Sequence, residues 1–327
     1  MFSKSNLPTF IRIFSYSILA ITFIFLINNI LTVWFDWPGV KKLFSHYGLF
    51  GFKKLNKPLE DSAFIFSFVQ LILYFISVFF VVFFVLKSIK QTLETDAEIL
   101  TKFTAYFIRS SFWAVLIVGL ADLLISFMVV EKFVEPILGE TLKIKLVIPS
   151  FRITFVHFPL ILISFVIGYY TRTVGFIWLA VLVVASEFFI VVSRFIFEYE
   201  QAFQGDLVRF WYSALYLFAS AYALTHEGHV RVDVLYTGFS ERKKAWTNSM
   251  GSLLLGIPLC LSVLFLGMSN KASIINGPVI SFEITQQGSN GLYLLYLMAV
   301  YLAVFAVSML TQFTSYFMSS TYKILKN

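Results

Sequence analysis

The sequence predicts an all-α, polytopic integral membrane protein with about eight transmembrane helices. Only 13% of its 327 residues are charged, whereas a soluble domain needs roughly 25% to keep its surface hydrated. The mean hydropathy is +0.83, and 59% of the residues are hydrophobic. The apolar residues are also gathered into continuous runs, each close to the roughly 20 residues that a helix needs to cross a bilayer core.

Eight apolar runs follow one another along the chain. They cover residues 10–35, 62–86, 106–130, 150–170, 174–197, 207–225, 248–268 and 291–317. Because the runs are continuous and do not alternate between apolar and polar positions, they indicate helices and not the strands of a barrel. The first run is too long for the apolar part of a signal peptide, so we expect it to be retained as a span.

Several local features refine this arrangement of spans. Pro159 and Pro258 lie inside the fourth and seventh spans, and each lacks the N–H of a regular helix, so we expect a kink at both positions. Ser240 is placed to cap the helix that leads into the seventh span. The first loop, residues 40–62, reads "VKKLFSHYGLFGFKKLNKPLEDS", and its mixture of lysines with apolar residues predicts an amphipathic segment on the bilayer surface.

The charge of the chain is explained by the membrane. The formal net charge is +7, but the basic residues are scattered over short loops, where lipid headgroups and membrane topology favour them, and nucleic acid is not an expected partner. An even number of spans puts both termini on one side. From the fifth span onward this side carries most of the Lys and Arg, among them Arg242, Lys243 and Lys244, which predicts cytoplasmic termini.

Two carboxylates lie in the middle of predicted spans. Asp122 occurs in "VGLADLLIS" and Glu187 in "VVASEFFIVVSR". Ionisable groups at such a depth are rare and often serve transport, so a self-sufficient transporter or channel that uses Asp122 and Glu187 is one alternative. We favour a structural role, in which Asp122 pairs with Arg152 and Glu187 pairs with Arg209 to hold helices together.

The stretch "HEGHVRVD" at residues 226–233 is the most polar segment near a predicted span. His226, Glu227 and His229 resemble part of a zinc-protease motif, and an intramembrane metalloenzyme is therefore a second alternative. That motif, however, needs two histidines four residues apart on one helix face, and here they are three apart, so we predict neither a metal site nor a cofactor. We interpret the stretch as a cytoplasmic link with His229, Arg231 and Asp233 on one face.

The residues around this link resemble a known family. "SAYALTHEGHVRVDVLYTG", followed by Ser240 and Arg242, is similar to the DctQ-type small membrane subunit of tripartite ATP-independent periplasmic (TRAP) transporters. "SRFIF" with Arg194, "GDLVRFWY" with Asp206 and "SFEITQQGSNG" with Glu283 extend the resemblance over about residues 174–320. The earlier spans match nothing in it. We therefore expect residues 1–172 to be an N-terminal extension with four spans and residues 173–327 to be a DctQ-like four-helix domain.

The resemblance implies a role in transport and not an enzyme. A DctQ-type subunit associates with the large DctM-type permease subunit and braces it in the bacterial inner membrane, while a periplasmic DctP-type binding protein delivers a carboxylate solute for sodium-coupled uptake. Membrane lipids are the remaining expected partners, and no cofactor is implied. The residues expected to form a partner interface or a structural motif are Arg194, Asp206, His229, Arg231, Asp233 and Glu283.

Overall fold

The computed structural model describes residues 6–172, 176–225, 236–284 and 291–326, and the regular elements in these ranges are all helical. This confirms the predicted fold class. The helices are α1 (Leu7–Trp34), α2 (Gly39–Tyr47), α3 (Asp61–Lys87), α4 (Leu93–Val130), α5 (Val134–Leu138), α6 (Glu140–Leu146), α7 (Pro149–Arg152), α8 (Phe158–Tyr170), α9 (Phe176–Ile196), α10 (Ala202–Thr225), α11 (Glu241–Gly251), α12 (Ile257–Gly267), α13 (Asn276–Ile280) and α14 (Leu295–Lys326).

Seven helices in the described part of the chain are long and apolar enough to cross a membrane. They are Leu7–Trp34, Asp61–Lys87, Leu93–Val130, Pro149–Tyr170, Ile177–Ile196, Glu241–Gly267 and Leu295–Lys326. The remaining predicted span, 207–225, does form a helix, α10, but its Tyr and Ser residues and Arg209 lower its hydropathy. Phe210, Ala214 and Phe218 of α10 are buried, so this helix faces protein on one side and does not need a uniformly apolar surface.

Both in-span prolines follow a π-turn. Phe158 donates its N–H to the carbonyl of Ile153, five residues back, and Pro159 is the next residue. In the same way Ile257 donates to Ser252, just before Pro258. Proline lacks an N–H and its ring clashes with the carbonyl four residues earlier, and a wider turn ahead of it relieves both problems. At both predicted positions the regular α-helix is therefore interrupted by a π-turn.

Two smaller predictions of local structure are also confirmed. The first loop contains the short helix α2, in which Leu43 is buried while Lys41 and Lys42 are exposed, as an amphipathic segment requires; its position on the bilayer surface stays a prediction. Ser240 caps α11, because its side chain accepts the N–H of Lys243 at 3.4 Å.

The first of two compact units comprises residues 1–100, 233–261 and 313–327. Here α1 packs along α3, and the Gln70 side chain donates to Thr32 Oγ1 at 3.2 Å and accepts the N–H of Gly39 at 2.9 Å. The end of α14 packs against the start of α4, where Ser315 Oγ donates to the carbonyl of Ala97 at 2.7 Å. This unit thus combines the beginning and the end of the chain.

The second compact unit comprises residues 101–232 and 262–312. Its core contains buried residues of α4, α9, α10, α14 and the stretch just before α14, namely Phe112, Val115, Val118, Leu179, Phe203, Leu207, Phe210, Trp211, Ala214, Phe218, Leu292, Leu294 and Tyr301. A Cβ atom on Gly119 of α4 would lie 2.8 Å from Trp211 Nε1, so the glycine allows α4 and α10 to approach closely. Helix α4 therefore shares one core with helices from the C-terminal half of the sequence.

Candidate functional site

The most completely buried ionic cluster of the second unit is centred on Asp122 of α4. Its side chain has 0% exposure, as does that of His157, while that of Arg152 has 1%. Ser126 lies one turn after Asp122 and therefore on the same face of α4. A carboxylate buried to this degree needs charged and hydrogen-bonding partners.

The π-turn supplies two of these partners. Arg152 and His157 are five residues apart, which would place them on different faces of a regular α-helix. The wider turn over Ile153–His157 brings both side chains round to the same face. Because Pro159 favours this turn, one proline explains why a guanidinium and an imidazole both meet Asp122.

The contacts of Asp122 occupy both of its oxygens. Oδ1 lies 2.5 Å from Arg152 Nε and 2.8 Å from His157 Nε2, and Oδ2 accepts the backbone N–H of Tyr293 at 2.7 Å. Arg152 Nη2 also donates to the Asp122 carbonyl and to Ser126 Oγ, both at 2.7 Å. The guanidinium lies over the ring of Tyr293, 4.4 Å from its centroid. The charges of Asp122 and Arg152 are therefore balanced within the cluster.

His157 completes the cluster by linking Asp122 to Tyr296. Its Nε2 lies 2.8 Å from Asp122 Oδ1, and its Nδ1 lies 3.0 Å from the hydroxyl of Tyr296. The two rings are also stacked, with centroids 6.0 Å apart and planes at 10°. Helix α4, the π-turn and the start of α14 are thus joined through one chain of polar contacts.

A second buried carboxylate binds the neighbouring backbone position. Asp206 of α10 accepts the N–H of Leu292 at 3.1 Å on Oδ2 and has Arg209 Nη1 at 3.9 Å from Oδ1. Its side chain has 0% exposure. Consecutive N–H groups, those of Leu292 and Tyr293, are therefore bound by carboxylates from two different helices.

Glu283, another residue expected to form a partner interface or a structural motif, binds the same region of the chain through its backbone carbonyl. Its carbonyl accepts the N–H of Tyr296 at 3.2 Å, while its side chain accepts the hydroxyl of Ser281 at 3.2 Å. We refer to residues 291–296 as the α14 N-terminal segment. Asp122, Asp206 and Glu283 all bind this segment, so the structure brings together three residues that are far apart in the sequence and fixes where the last helix begins.

A small pocket with a volume of about 20 Å³ borders the cluster. It is lined by Ser126, Val129, Val130, Val147, Arg152, Gly291 and Tyr293. Asp122 and His157 are not part of this lining. The carboxylate of Asp122 is thus separated from the cavity by its own partners.

The residues at the end of α9 form exposed contacts. Arg194 lies 3.4 Å from Glu200, and both side chains are more than half exposed. In the following loop Tyr199 donates its hydroxyl to Glu131 Oε1 at 2.7 Å. Burial, followed by this hydrogen bond, raises the pKa of Tyr199 to about 12. Arg194 is therefore not part of the α14 N-terminal segment, whereas the loop after it is fastened to the end of α4.

The two expected ion pairs have different outcomes. The Asp122–Arg152 pair is present. The pairing of Glu187 with Arg209 is wrong, because Arg209 lies beside Asp206, one turn away on its own helix, while the Glu187 side chain is exposed.

The "HEGHVRVD" stretch lies outside the described residues, and with it His226, Glu227, His229, Arg231 and Asp233. Within residues 6–172, 176–225, 236–284 and 291–326, no three His, Cys, Asp or Glu side chains are grouped so that they could hold a metal ion.

One buried ion pair was not anticipated from the sequence. In the first unit Arg12 Nε lies 2.5 Å from Asp96 Oδ2, and both side chains are almost fully buried. Arg12 also donates to the carbonyl and the hydroxyl of Ser88 at 2.8 and 2.9 Å. In the sequence, Arg12 is a lone arginine near the start of an apolar helix. This pattern is equally typical of a charged residue at the membrane surface, so it did not predict a buried ion pair.

The helices and the site define a polytopic membrane protein in which buried ionic groups join helices to one another. A comparison with known protein families gives a match in the C-terminal part of the chain. Residues 180–318 match the model of the DctQ component of tripartite ATP-independent periplasmic transporters, so this part of the chain is similar to the DctQ family, a family of transporter subunits and not of enzymes. Helices α1 to α8 precede the matched residues, which is consistent with an N-terminal extension. No curated protein and no solved structure gave a significant match.

Proposed function

We propose that this protein is the small permease subunit of a TRAP-type secondary transporter. It acts as a membrane scaffold for the large, DctM-type subunit, which translocates the solute, and a periplasmic DctP-type protein delivers that solute. The proposed process is sodium-coupled uptake of a carboxylate across the bacterial inner membrane, with both termini of this chain in the cytoplasm. The match of residues 180–318 to the DctQ family is the observation that carries the proposal.

The chemistry of the buried carboxylates supports a scaffold role. A residue that carries a proton or a cation across a membrane must exchange its partners with an aqueous path. Asp122 is fully buried, and both of its oxygens are bound by donors of the same chain. Asp206 is equally buried and binds the backbone of Leu292. Groups of this kind stabilise one arrangement of helices, as a static subunit requires.

The extension has a place in the same proposal. We propose residues 1–172 as the extension and residues 173–327 as the DctQ-like domain, with the extension enlarging the scaffold. Helix α4 contributes Phe112, Val115 and Val118 to the core around α10 and the α14 N-terminal segment. The extension would therefore stiffen the final helix of the DctQ part.

Co-expression with the large subunit tests the proposal. The two chains, one carrying an affinity tag, are expected to be purified together in mild detergent. Cells that lack this chain are expected to lose solute uptake, and uptake is expected to return when the gene is restored. Full uptake without this chain would refute the scaffold role, and solute flux through vesicles that contain this chain alone would identify a self-sufficient transporter instead.

A further inference from the structure

Glu187 is the second carboxylate in the middle of a span, and its surroundings differ from those of Asp122. It lies twelfth of the 21 residues of α9, so the helix continues for well over 10 Å on either side of it. Its side chain is exposed. Within the described ranges 6–172, 176–225, 236–284 and 291–326, no ion pair or hydrogen bond is formed by its carboxylate.

The two faces of α9 differ in their burial. Leu179, Ser186 and Ser193, spaced seven residues apart, are buried, and Ser193 Oγ accepts a hydrogen bond from Gln204 of α10 at 2.8 Å. This face packs within the second unit. The opposite face presents Val184, Phe188, Val191 and Phe195, of which Phe188 is 68% and Phe195 75% exposed.

Glu187 borders this outward face. Residues three, four and seven positions apart lie on one side of a helix, so Val184, Glu187 and Val191 are neighbours on the surface. We refer to Val184, Glu187, Phe188, Val191 and Phe195 as the α9 strip. It is an apolar band, several turns long, with one carboxylate along its edge.

The composition of the α9 strip argues against a surface that contacts only lipid. A carboxylate at mid-membrane depth is costly when hydrocarbon surrounds it, and intramembrane charges therefore face a partner or a water-filled cavity. The middle of α3 differs in this respect, because its outward residues include Phe75, Phe79 and Phe80, all apolar. The carboxylate thus distinguishes α9 from a purely lipid-facing helix.

We propose that the α9 strip is the surface on which the large permease subunit docks, and that Glu187 pairs there with a Lys or Arg on a transmembrane helix of that subunit. This rests on the proposed function, which supplies the partner. Charge complementarity defines the chemistry: the apolar residues of the strip cover the partner helix, and the single carboxylate fixes its register, because only one depth satisfies both charges.

Substitution of Glu187 tests the proposal in the intact two-subunit complex. Glu187→Leu removes the charge and is expected to lower the amount of large subunit recovered with this chain by about tenfold or more. Glu187→Gln keeps an acceptor and is expected to give an intermediate recovery. Phe79→Leu, at an exposed mid-span position of α3, is the matched control and is expected to leave recovery unchanged.

A photo-crosslinking amino acid at position 188 provides a second measurement that does not depend on the stability of a Glu187 variant. Crosslinking to the large subunit from position 188, and its absence from position 79, would support the proposal. Unchanged recovery with Glu187→Leu, or crosslinks from position 188 that reach only lipid or a second copy of this chain, would overturn it. If the wild-type chain recovers no large subunit, the proposed function fails as well, so the two failures are distinguishable.

Discussion

Replacing Arg152 by Met removes the positive charge from the Asp122 cluster with little change in side-chain length. The carboxylate of Asp122 then remains fully buried with only His157 Nε2 and the Tyr293 N–H as donors. Removing one partner of a buried pair costs about 3–5 kcal/mol, because the other charge is left uncompensated. Since a folded protein is stable by only about 5–15 kcal/mol, we expect a large loss of stability. Equilibrium unfolding with SDS in mixed micelles measures it directly.

The double variant Asp122→Asn, Arg152→Met makes this test specific to charge. The asparagine still accepts the N–H of Tyr293, and neither charge is left isolated, so the double variant is expected to be more stable than Arg152→Met alone. Lys143→Met is the control, because its ion pair with Glu135 is exposed to solvent, and it is expected to leave the unfolding curve unchanged. The reasoning is refuted if Arg152→Met costs less than about 1 kcal/mol or if the effects of the two single substitutions simply add.

Three further predictions concern packing, pH and capping. A Cβ on Gly168 would lie 2.9 Å from the Cα of Ser110, so Gly168→Ala is expected to destabilise the fold by about 1–3 kcal/mol; Gly205→Ala, with nothing within 4 Å of its Cβ, is the control in the same unfolding assay. Because the pKa of Tyr199 is raised to about 12, its contribution to stability is present below pH of about 10 and is lost as the pH rises through the raised value; the difference in phenolate absorbance between wild type and Tyr199→Phe checks this, and a midpoint near the ordinary value would contradict it. Ser240→Ala removes the cap of α11 and is expected to cost about 1 kcal/mol, with faster amide hydrogen exchange confined to the first turn of that helix.

The helices were predictable because span length and apolar composition are local properties of the chain. Seven of the eight predicted spans were recovered as candidate spans. The remaining one, the sixth span at 207–225, was recovered only as a helix, since its burial against α4 and the start of α14 replaces the apolar surface that a lipid-facing span needs. The effect of Pro159 and Pro258 was likewise local, although the sequence indicated a kink and not the particular form of a π-turn.

The site was predictable only in part, because it depends on which spans meet. Asp122 and Arg152 stood out as opposite charges in neighbouring spans, and they do pair. Another donor to Asp122, the backbone N–H of Tyr293, lies 171 positions away in the sequence. Because it is a backbone group, no side-chain pattern could predict this contact. The pairing of Glu187 with Arg209 failed because an arginine can reach a carboxylate on its own helix as readily as one on the next.

The composition of the first compact unit has a consequence for biosynthesis. Residues 1–100 pack in one unit with residues 313–327, which are synthesised much later. The carbonyl of Ala97 can bind Ser315 Oγ only after the chain has been extended by 218 residues. The first helices therefore enter the membrane before this contact can form, and their unit is completed late in synthesis.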